Sequence, residues 1–198
     1  NMHDLLSVIV LSVLQGLTEF LPVSSSGHLV IAGRLLHYES PGIFLELVLH
    51  FGTCLSICIY FRGQLAELGR GLWRRDGRAW RRVGLLLWAD VPAVLCFLSA
   101  GKWVEARFEE PRMTALFLLV TGVVLLSMLR LMRGGGRMTP WRAFFVGVAQ
   151  TLALLPGISR SGLTIATARH LGVSAREAAE FSLLMSLPLL IGGMLLTL

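Results

Sequence analysis

The sequence has little charge and little cysteine. Of its 198 residues, 15% are charged and three are cysteines, whereas 55% are hydrophobic. A mean hydropathy of +0.71 is too high for an ordinary soluble domain. Cys54, Cys58 and Cys96 lie in predicted apolar spans, where free thiols serve as small packing groups, so we infer no disulfide and no zinc site. The composition therefore predicts an all-α polytopic membrane protein.

The basic residues lack the aromatic partners that single-stranded nucleic acid requires. The net charge is +6, nearly all the basic residues are arginine, and they cluster in residues 62–82 and 130–142. Proteins that bind single strands interleave basic residues with aromatic stacking platforms, and neither cluster shows that pattern. We expect these arginines to face membrane lipids, and we predict no nucleic-acid partner.

Long apolar runs predict four membrane spans. Runs of about 20 residues are long enough to cross a bilayer, and they cover residues 43–61, 83–103, 113–132 and 178–198. The arginine-rich loop after the first span is placed in the cytoplasm by the positive-inside rule, and so is the segment after the third. The mixed-charge loop 105–112 is then expected outside.

Two polar segments interrupt the apolar sequence and resemble each other. Residues 15–28 read QGLTEFLPVSSSGH, and residues 150–164 read QTLALLPGISRSGLT. Each begins with Gln, reaches Leu-Pro and ends in a serine-rich turn closed by Gly, and the second carries one extra residue, Gly157. The separation of about 135 residues indicates an internal repeat.

The repeated segments predict two re-entrant hairpins of opposite topology. In the first segment, residues 5–36, the two apolar arms are residues 5–14 and 29–36. Each arm is too short to cross a core of roughly 30 Å, and Pro22 breaks the helix between them. We expect this hairpin to enter from outside and a second one, residues 143–172, to enter from the cytoplasm. Repeat one would then span residues 1–133, and an incomplete repeat two residues 140–198.

By the same period, two more spans of the second repeat would fall beyond residue 198, and we expect them to be missing from this sequence. The alternative to re-entrant hairpins is a pair of kinked helices whose serines and glycines serve helix packing.

A carboxylate and a guanidinium lie within the repeated segments. Gln15 and Glu19 are four residues apart and share a helix face. A buried carboxylate needs an Arg partner or a metal ion, so Glu19 either binds a cation or pairs with Arg160. The fork of Arg160 matches phosphate oxygens, although its side chain can alternatively extend to the lipid headgroups.

Hydroxyls and helix starts surround these charges. A helix predicted to begin near Gly27 offers free N–H groups and a dipole that favour phosphate, and His28 is placed to transfer a proton. Each serine alone is also typical of an N-cap. The polar and small residues in the two turns are Ser24, Ser25, Ser26, Ser159, Ser161, Gly162 and Thr164. His50 shares a span face with Glu46. The two residues either support the site from behind the groups that contact substrate or form a packed interior pair, and we favour the second interpretation.

Phosphoryl transfer is the chemistry that uses all these groups, with Mg²⁺ or Ca²⁺ completing the site. A membrane location implies a lipid-linked phosphate.

A flippase or anion transporter shares the inverted-repeat architecture and is the main alternative. Another membrane phosphatase superfamily needs a His soon after its Ser-Arg, but His170 lies ten residues after Arg160. A serine protease would need a Gly-x-Ser-x-Gly elbow, which the second turn lacks.

The segments GLTEFLPVSSSGH and PGISRSGLT resemble the two signature motifs of the bacterial undecaprenyl-diphosphate phosphatase family of the bacitracin-resistance type, in order and spacing. The resemblance implies hydrolysis of undecaprenyl diphosphate to undecaprenyl phosphate, which recycles the lipid carrier for peptidoglycan synthesis. It also implies a multi-pass protein of the bacterial plasma membrane whose site opens to the outer face.

The same resemblance assigns roles to individual residues. It implies that Ser25 is the nucleophile, that His28 is the acid or base, and that Arg160 clamps the phosphate. Glu19 and Gln15 would hold the divalent cation, and the other turn residues would bind a polyprenyl diphosphate. His28 as the nucleophile stays an alternative, and a homodimer is left open. Many family members have Glu where this chain has Gln15, which would weaken the metal site.

Overall fold

The computed structural model describes residues 2–38, 43–105, 111–129, 131 and 134–197. This part of the chain forms nine α-helices and no strand, apart from an isolated bridge between Gly136 and Val173. The predicted all-α class is thereby confirmed. The helices are α1 Met2–Thr18, α2 Ser25–Leu35, α3 Ile43–Tyr60, α4 Arg62–Trp73, α5 Gly77–Glu105, α6 Pro111–Met128, α7 Pro140–Leu152, α8 Arg160–His170 and α9 Ala175–Thr197.

Many large apolar side chains lie on the surface, and several polar side chains lie inside. Leu5, Leu98 and Leu119 are all more than 60% exposed, while Gln15 and Gln150 are each 1% exposed. Two stretches of the described helices, Gly77–Ser99 and Ala175–Leu195, are long and apolar enough to cross a membrane. Exposed leucine carries no penalty in lipid, so this distribution fits a membrane protein.

A helix lies at each of the four predicted spans, namely α3 at 43–61, α5 at 83–103, α6 at 113–132 and α9 at 178–198. Helix α6 ends at Met128, and residue 132 lies outside the described residues, as do 106–110 of the predicted outer loop. Whether each helix crosses a bilayer stays a prediction.

The arginine-rich segment after the first span is helical, although the sequence predicted a loop there. It forms α4 and the first turns of α5, joined by a turn in which Arg75 has a φ of 56°. Arginine is a strong helix former, so a high density of it does not prevent a helix. Arg82 pairs with Glu177 at the start of α9, which anchors this basic hairpin to the rest of the bundle.

Small residues bring α5 and α7 close together. Ala89, Ala93 and Ala143 are fully buried, and a Cβ added to Gly147 would overlap the carbonyl of Ala89. Close backbone approach through small residues is how helices gain packing energy in lipid. Larger side chains from α3, α7 and α9 fill the remaining core, among them Ile57, Val146, Phe181 and Met185.

Two helix pairs are separated by short breaks, and these pairs position the candidate site. Helices α1 and α2 are broken over residues 19–24, which contain Pro22, and α7 and α8 over residues 153–159, which contain Pro156. The first arm is longer than predicted, because the helix continues past residue 14 to Thr18. The breaks fall where the sequence places them, since proline lacks the N–H that a helix needs.

Candidate active site

The two breaks lie against each other, although they are far apart in sequence. Ser161 Oγ donates to the Leu21 carbonyl at 3.3 Å. A Cβ on Gly162 would lie 2.8 Å from the Pro22 carbonyl, and one on Gly27 would lie 3.2 Å from Gly157 Cα. Glycine at position 162 therefore permits a contact that a side chain would disturb, and glycine at position 27 relieves a tight one.

The serine-rich turns share one pattern of hydrogen bonds. Ser24 Oγ accepts from the Gly27 N–H at 3.4 Å, and Ser159 Oγ accepts from the Gly162 N–H at 3.0 Å. In each turn the capping hydroxyl also lies 3.3 Å from the hydroxyl two residues later. The first serine of each turn is thus an N-cap. The residue after each cap, Ser25 or Arg160, begins the following helix.

The caps differ in backbone conformation. Ser24 has φ 68° and ψ 94°, whereas Ser159 has φ −71°. A non-glycine residue at positive φ costs of order 1–3 kcal/mol, and such strain clusters at functional sites. The strained residue directly precedes Ser25, whose hydroxyl donates to the Glu19 carboxylate.

The carboxylate of Glu19 joins the two turns. Its Oε1 accepts from Arg160 Nη2 at 2.8 Å, and its Oε2 accepts from Gln15 Nε2 at 2.9 Å and from Ser25 Oγ. The Glu19 and Arg160 side chains are 10% and 17% exposed. The ion pair that the sequence offered as one role of Glu19 is therefore present. The carboxylate is also the hydrogen-bond acceptor of the Ser25 hydroxyl, which is the position of a general base.

A cavity of about 500 Å³ opens beside this carboxylate. Eight of the predicted site residues line it: Gln15, Glu19, Ser24, Ser25, Ser26, Ser159, Arg160 and Ser161. Most of the remaining lining is apolar, including Leu11, Leu29, Leu49, Phe97 and Leu155. A few convergent polar groups in an apolar cavity are typical of a small-molecule or lipid-headgroup site.

The sequence profile of the family described as "Bacitracin resistance protein BacA" matches residues 8–198. The chain belongs to the BacA family. An undecaprenyl-diphosphatase of Syntrophotalea carbinolica is 42% identical to it, over 98% of this chain and 76% of that protein. An undecaprenyl-diphosphatase of Salinibacter ruber is 41% identical, over 95% of this chain and 75% of the relative. An undecaprenyl-diphosphatase of Rhodopirellula baltica is 37% identical, over 98% of this chain and 74% of that protein.

In this BacA chain, four predicted site residues lie outside the cavity lining. Gly27 and Gly162 serve the contact between the turns. Thr164 is fully buried, donates to the Arg160 carbonyl at 2.8 Å and lies 2.7 Å from Ser182 Oγ, so it joins α8 to α9. His28 Nδ1 lies 2.7 Å from the Ser24 carbonyl, within the first turn of its own helix. Their proposed contacts with substrate stay predictions.

Sequence reasoning missed several residues around the cavity. Thr18, Arg34, Tyr38 and His50 line it, so His50 lies at the site rather than merely in a packed interior. Thr121 of α6 holds the second break, because its Oγ1 donates to the Gly157 carbonyl at 2.9 Å and accepts from the Ser159 N–H at 3.0 Å. A single polar residue within an apolar run is the signal that could have identified His50 and Thr121.

The oxygen atoms beside the cavity fit a hard cation that shares its coordination with a phosphate. Gln15 Oε1 is buried and has no hydrogen-bond partner in the structure as described. No group of three or more His, Cys, Asp or Glu side chains among the described residues could hold a metal alone. Mg²⁺ is commonly held by one or two carboxylates together with substrate phosphates, and Glu19 with Gln15 suits that arrangement.

Proposed function

We propose that the protein is an integral membrane phosphatase that hydrolyses undecaprenyl diphosphate to undecaprenyl phosphate and phosphate. The observation that carries this proposal is the carboxylate of Glu19, which accepts from both Ser25 Oγ and Arg160 Nη2 at the edge of one cavity. A hydroxyl, its base and an anion clamp are thereby assembled from the two breaks. The relatives from three bacteria are all named undecaprenyl-diphosphatase.

The diphosphate would bind where the two helix starts meet. Helices α2 and α8 begin at Ser25 and Arg160, and the free N–H groups of a helix start attract phosphate oxygens. Arg160 Nη1 is buried and unpaired among the described residues, so it is available to a second phosphate oxygen. The apolar lining of the cavity would take the first isoprene units of the lipid.

The contacts favour Ser25 as the nucleophile. Its hydroxyl passes the proton to Glu19 as the oxygen attacks the terminal phosphorus, and the bond from that phosphorus to the bridging oxygen breaks. Undecaprenyl phosphate leaves with a proton that we assign to His28, and Arg160 stabilises the charge on the transferred group. Water then hydrolyses the phosphoserine. His28 as the nucleophile is the alternative.

A divalent cation, Mg²⁺ or Ca²⁺, would be held by Glu19 and Gln15 together with oxygens of the diphosphate. It would supply neutralisation of the substrate's negative charge, as bound cations do in phosphoryl transfer. Because Gln15 is uncharged, most of the ligand charge must come from the substrate. We therefore expect the cation and the lipid diphosphate to bind together.

We further propose that the two broken helix pairs are re-entrant hairpins of inverted repeats in the bacterial plasma membrane. The matching serine caps and the contact between the breaks support this arrangement. The positive-inside rule then orients the protein so that the site opens to the outer face. Membrane lipids would cover the exposed leucines, either around a single chain or around a homodimer.

Phosphate release from a prenyl diphosphate in detergent tests the function. We would compare Mg²⁺, Ca²⁺ and EDTA, using the parent protein and Ser25→Ala, His28→Ala and Arg160→Ala. Metal-dependent release that falls about 100-fold or more in each variant is expected. Ser127→Ala is the matched control, because that serine is exposed and contacts His170 rather than the cavity.

A folded parent that releases no phosphate, yet moves the lipid across vesicle membranes, would overturn the phosphatase in favour of a transporter. Full activity in EDTA would overturn the metal requirement alone.

A further inference from the structure

Unsatisfied polar atoms converge on the cavity. Six buried side-chain N or O atoms have no hydrogen-bond partner within the described chain, and three belong to residues that line this cavity. They are Gln15 Oε1, Arg160 Nη1 and His50 Nδ1. A buried polar atom without a partner is costly, and more so where the surroundings are apolar. Three such atoms around one cavity indicate a ligand that satisfies them together.

Two of the three atoms already have a role in the proposed function. Gln15 Oε1 accepts only, which suits a cation, and Arg160 Nη1 donates only, which suits a phosphate oxygen. His50 has no role in that chemistry. One ring nitrogen of a neutral imidazole carries a proton, and the tautomer follows the partner, so Nδ1 can donate to an anion.

Helix α3 presents His50 to the cavity. Cys54 and Ile57 follow it at the spacing of one helix face, and they are 6% and 2% exposed, so this face of α3 points inward. Leu49, the preceding residue, also lines the cavity. His50 and Glu19 line the same cavity. The imidazole therefore reaches the site from a helix that belongs to neither break.

We propose that His50 is a substrate-binding residue that donates a hydrogen bond from its ring to a phosphate oxygen of the lipid diphosphate. This inference rests on the proposed function, because it takes the diphosphate as the ligand of the cavity. The phosphate would then be contacted from three sides: by Arg160, by the helix starts and by His50. A hydrogen bond to a charged oxygen corresponds to about 10- to 100-fold in affinity.

Binding of farnesyl methylenediphosphonate, a prenyl diphosphate that cannot be hydrolysed, tests this role. The dissociation constant would be measured by calorimetry in detergent with Mg²⁺ for the parent, His50→Leu and His50→Gln. His50→Leu keeps a similar volume without a donor, so its dissociation constant should rise about 10- to 100-fold. His50→Gln keeps an N–H donor and should stay within about fivefold of the parent.

Thermal stability separates binding from packing. Replacing an unsatisfied buried polar group by an apolar one of similar size is neutral or stabilising, so unliganded His50→Leu should melt at or above the parent's Tm. Thr53→Val is the matched control on the same helix, since the Thr53 hydroxyl is buried and, among the described residues, donates to the Leu49 carbonyl of its own helix at 3.1 Å. It should bind the analogue like the parent.

The proposal is overturned if His50→Leu binds as tightly as the parent, if His50→Gln is as weak as His50→Leu, or if the parent does not bind the analogue. If His50→Leu fails to fold, the parent can be tested instead. It would be modified with diethyl pyrocarbonate, and the modification of His50 would be measured by mass spectrometry. The analogue should protect His50 and farnesol should not, and equal modification in both cases would overturn the proposal. Phosphate release by the parent reports separately on the proposed function.

Discussion

Glu19 connects the chemistry of the site to the stability of the protein. It is one carboxylate with three hydrogen-bond donors, from Arg160, Gln15 and Ser25. A carboxylate can accept about four such contacts, so a metal ion can still bind to Glu19 beside its three donors. Because the guanidinium and the carboxylate are both largely buried, removing either one leaves the other uncompensated.

Substitution of Arg160 should reveal this dependence. Arg160→Gln should lower the free energy of unfolding by about 3–5 kcal/mol, since Glu19 then stays buried without its cation. In Glu19→Gln/Arg160→Gln no charge is left unpaired, so most of the stability should return while phosphate release stays lost. Unfolding in detergent of the parent, both single variants and the double variant measures the coupling. Additive losses would contradict the buried pair.

Gln15→Glu should strengthen metal binding. It adds a carboxylate beside Glu19, whose Oε2 now lies 2.9 Å from Gln15 Nε2. We expect the Mg²⁺ concentration for half-maximal phosphate release to fall about tenfold, because affinity for hard cations rises with ligand charge. In EDTA the two carboxylates would repel, so the Tm should fall below that of the parent. An unchanged Mg²⁺ requirement would argue against Gln15 as a ligand.

At this scale, local spacing made part of the site predictable. Gln15 and Glu19 face one way because they are four residues apart on a helix, and both line the cavity. The role of His50 was not predictable, since its position depends on how α3 packs against the breaks. Glu46, its predicted partner, has a side chain outside the described residues.

The second break depends on a helix that contributes no predicted site residue. Thr121 of α6 bonds both the Gly157 carbonyl and the Ser159 N–H. Thr121→Val should leave these two buried groups without partners, at about 1–3 kcal/mol each, and should also lower phosphate release because Arg160 follows the affected cap. Tm and initial rates measure both effects. Thr151→Val is the control, since its hydroxyl bonds only the carbonyl of Val148.

Gly157 is required by the shape of the second break. Its φ is +95°, and an added Cβ would meet the Thr114 carbonyl and lie 3.0 Å from Phe117 Cβ. Gly157→Ala should therefore destabilise the protein by at least about 2 kcal/mol. Gly16 has no heavy atom within 4 Å of an added Cβ, so Gly16→Ala in α1 should be neutral or stabilising. Similar Tm values for the two variants would contradict the described turn.

The helices were more predictable than their ends. Proline and the serine turns identified both breaks, since these residues act locally. The extension of α1 to Thr18 and the helix α4 were not predicted: the arginines of α4 favour a helix, and the turn that folds it against α5 depends on a tertiary contact. Gly71 illustrates this, since its Cβ position would lie 2.6 Å from the Ala79 side chain and so permits the α4–α5 hairpin.

For the whole molecule, composition was the strongest predictor. The bundle buries glutamines and hydroxyls and exposes leucines, the opposite of a soluble domain. The distribution of arginine predicts the orientation of the protein in the membrane. Arginines are concentrated in α4 and the start of α5, whereas α1 and α2 are nearly free of them. The positive-inside rule therefore predicts that α4 lies in the cytoplasm and that the start of α1 lies outside.

Cysteine labelling tests this orientation. His3 and Arg74 are exposed and lie on opposite predicted faces, so His3→Cys should react with a membrane-impermeant maleimide in intact spheroplasts. Arg74→Cys should react only in inside-out vesicles, because the seven arginines of its segment predict a cytoplasmic position. The parent gives the background from Cys54, Cys58 and Cys96, of which the first is buried. The reverse labelling pattern would place the cavity on the cytoplasmic face, where it could not act on a diphosphate released outside.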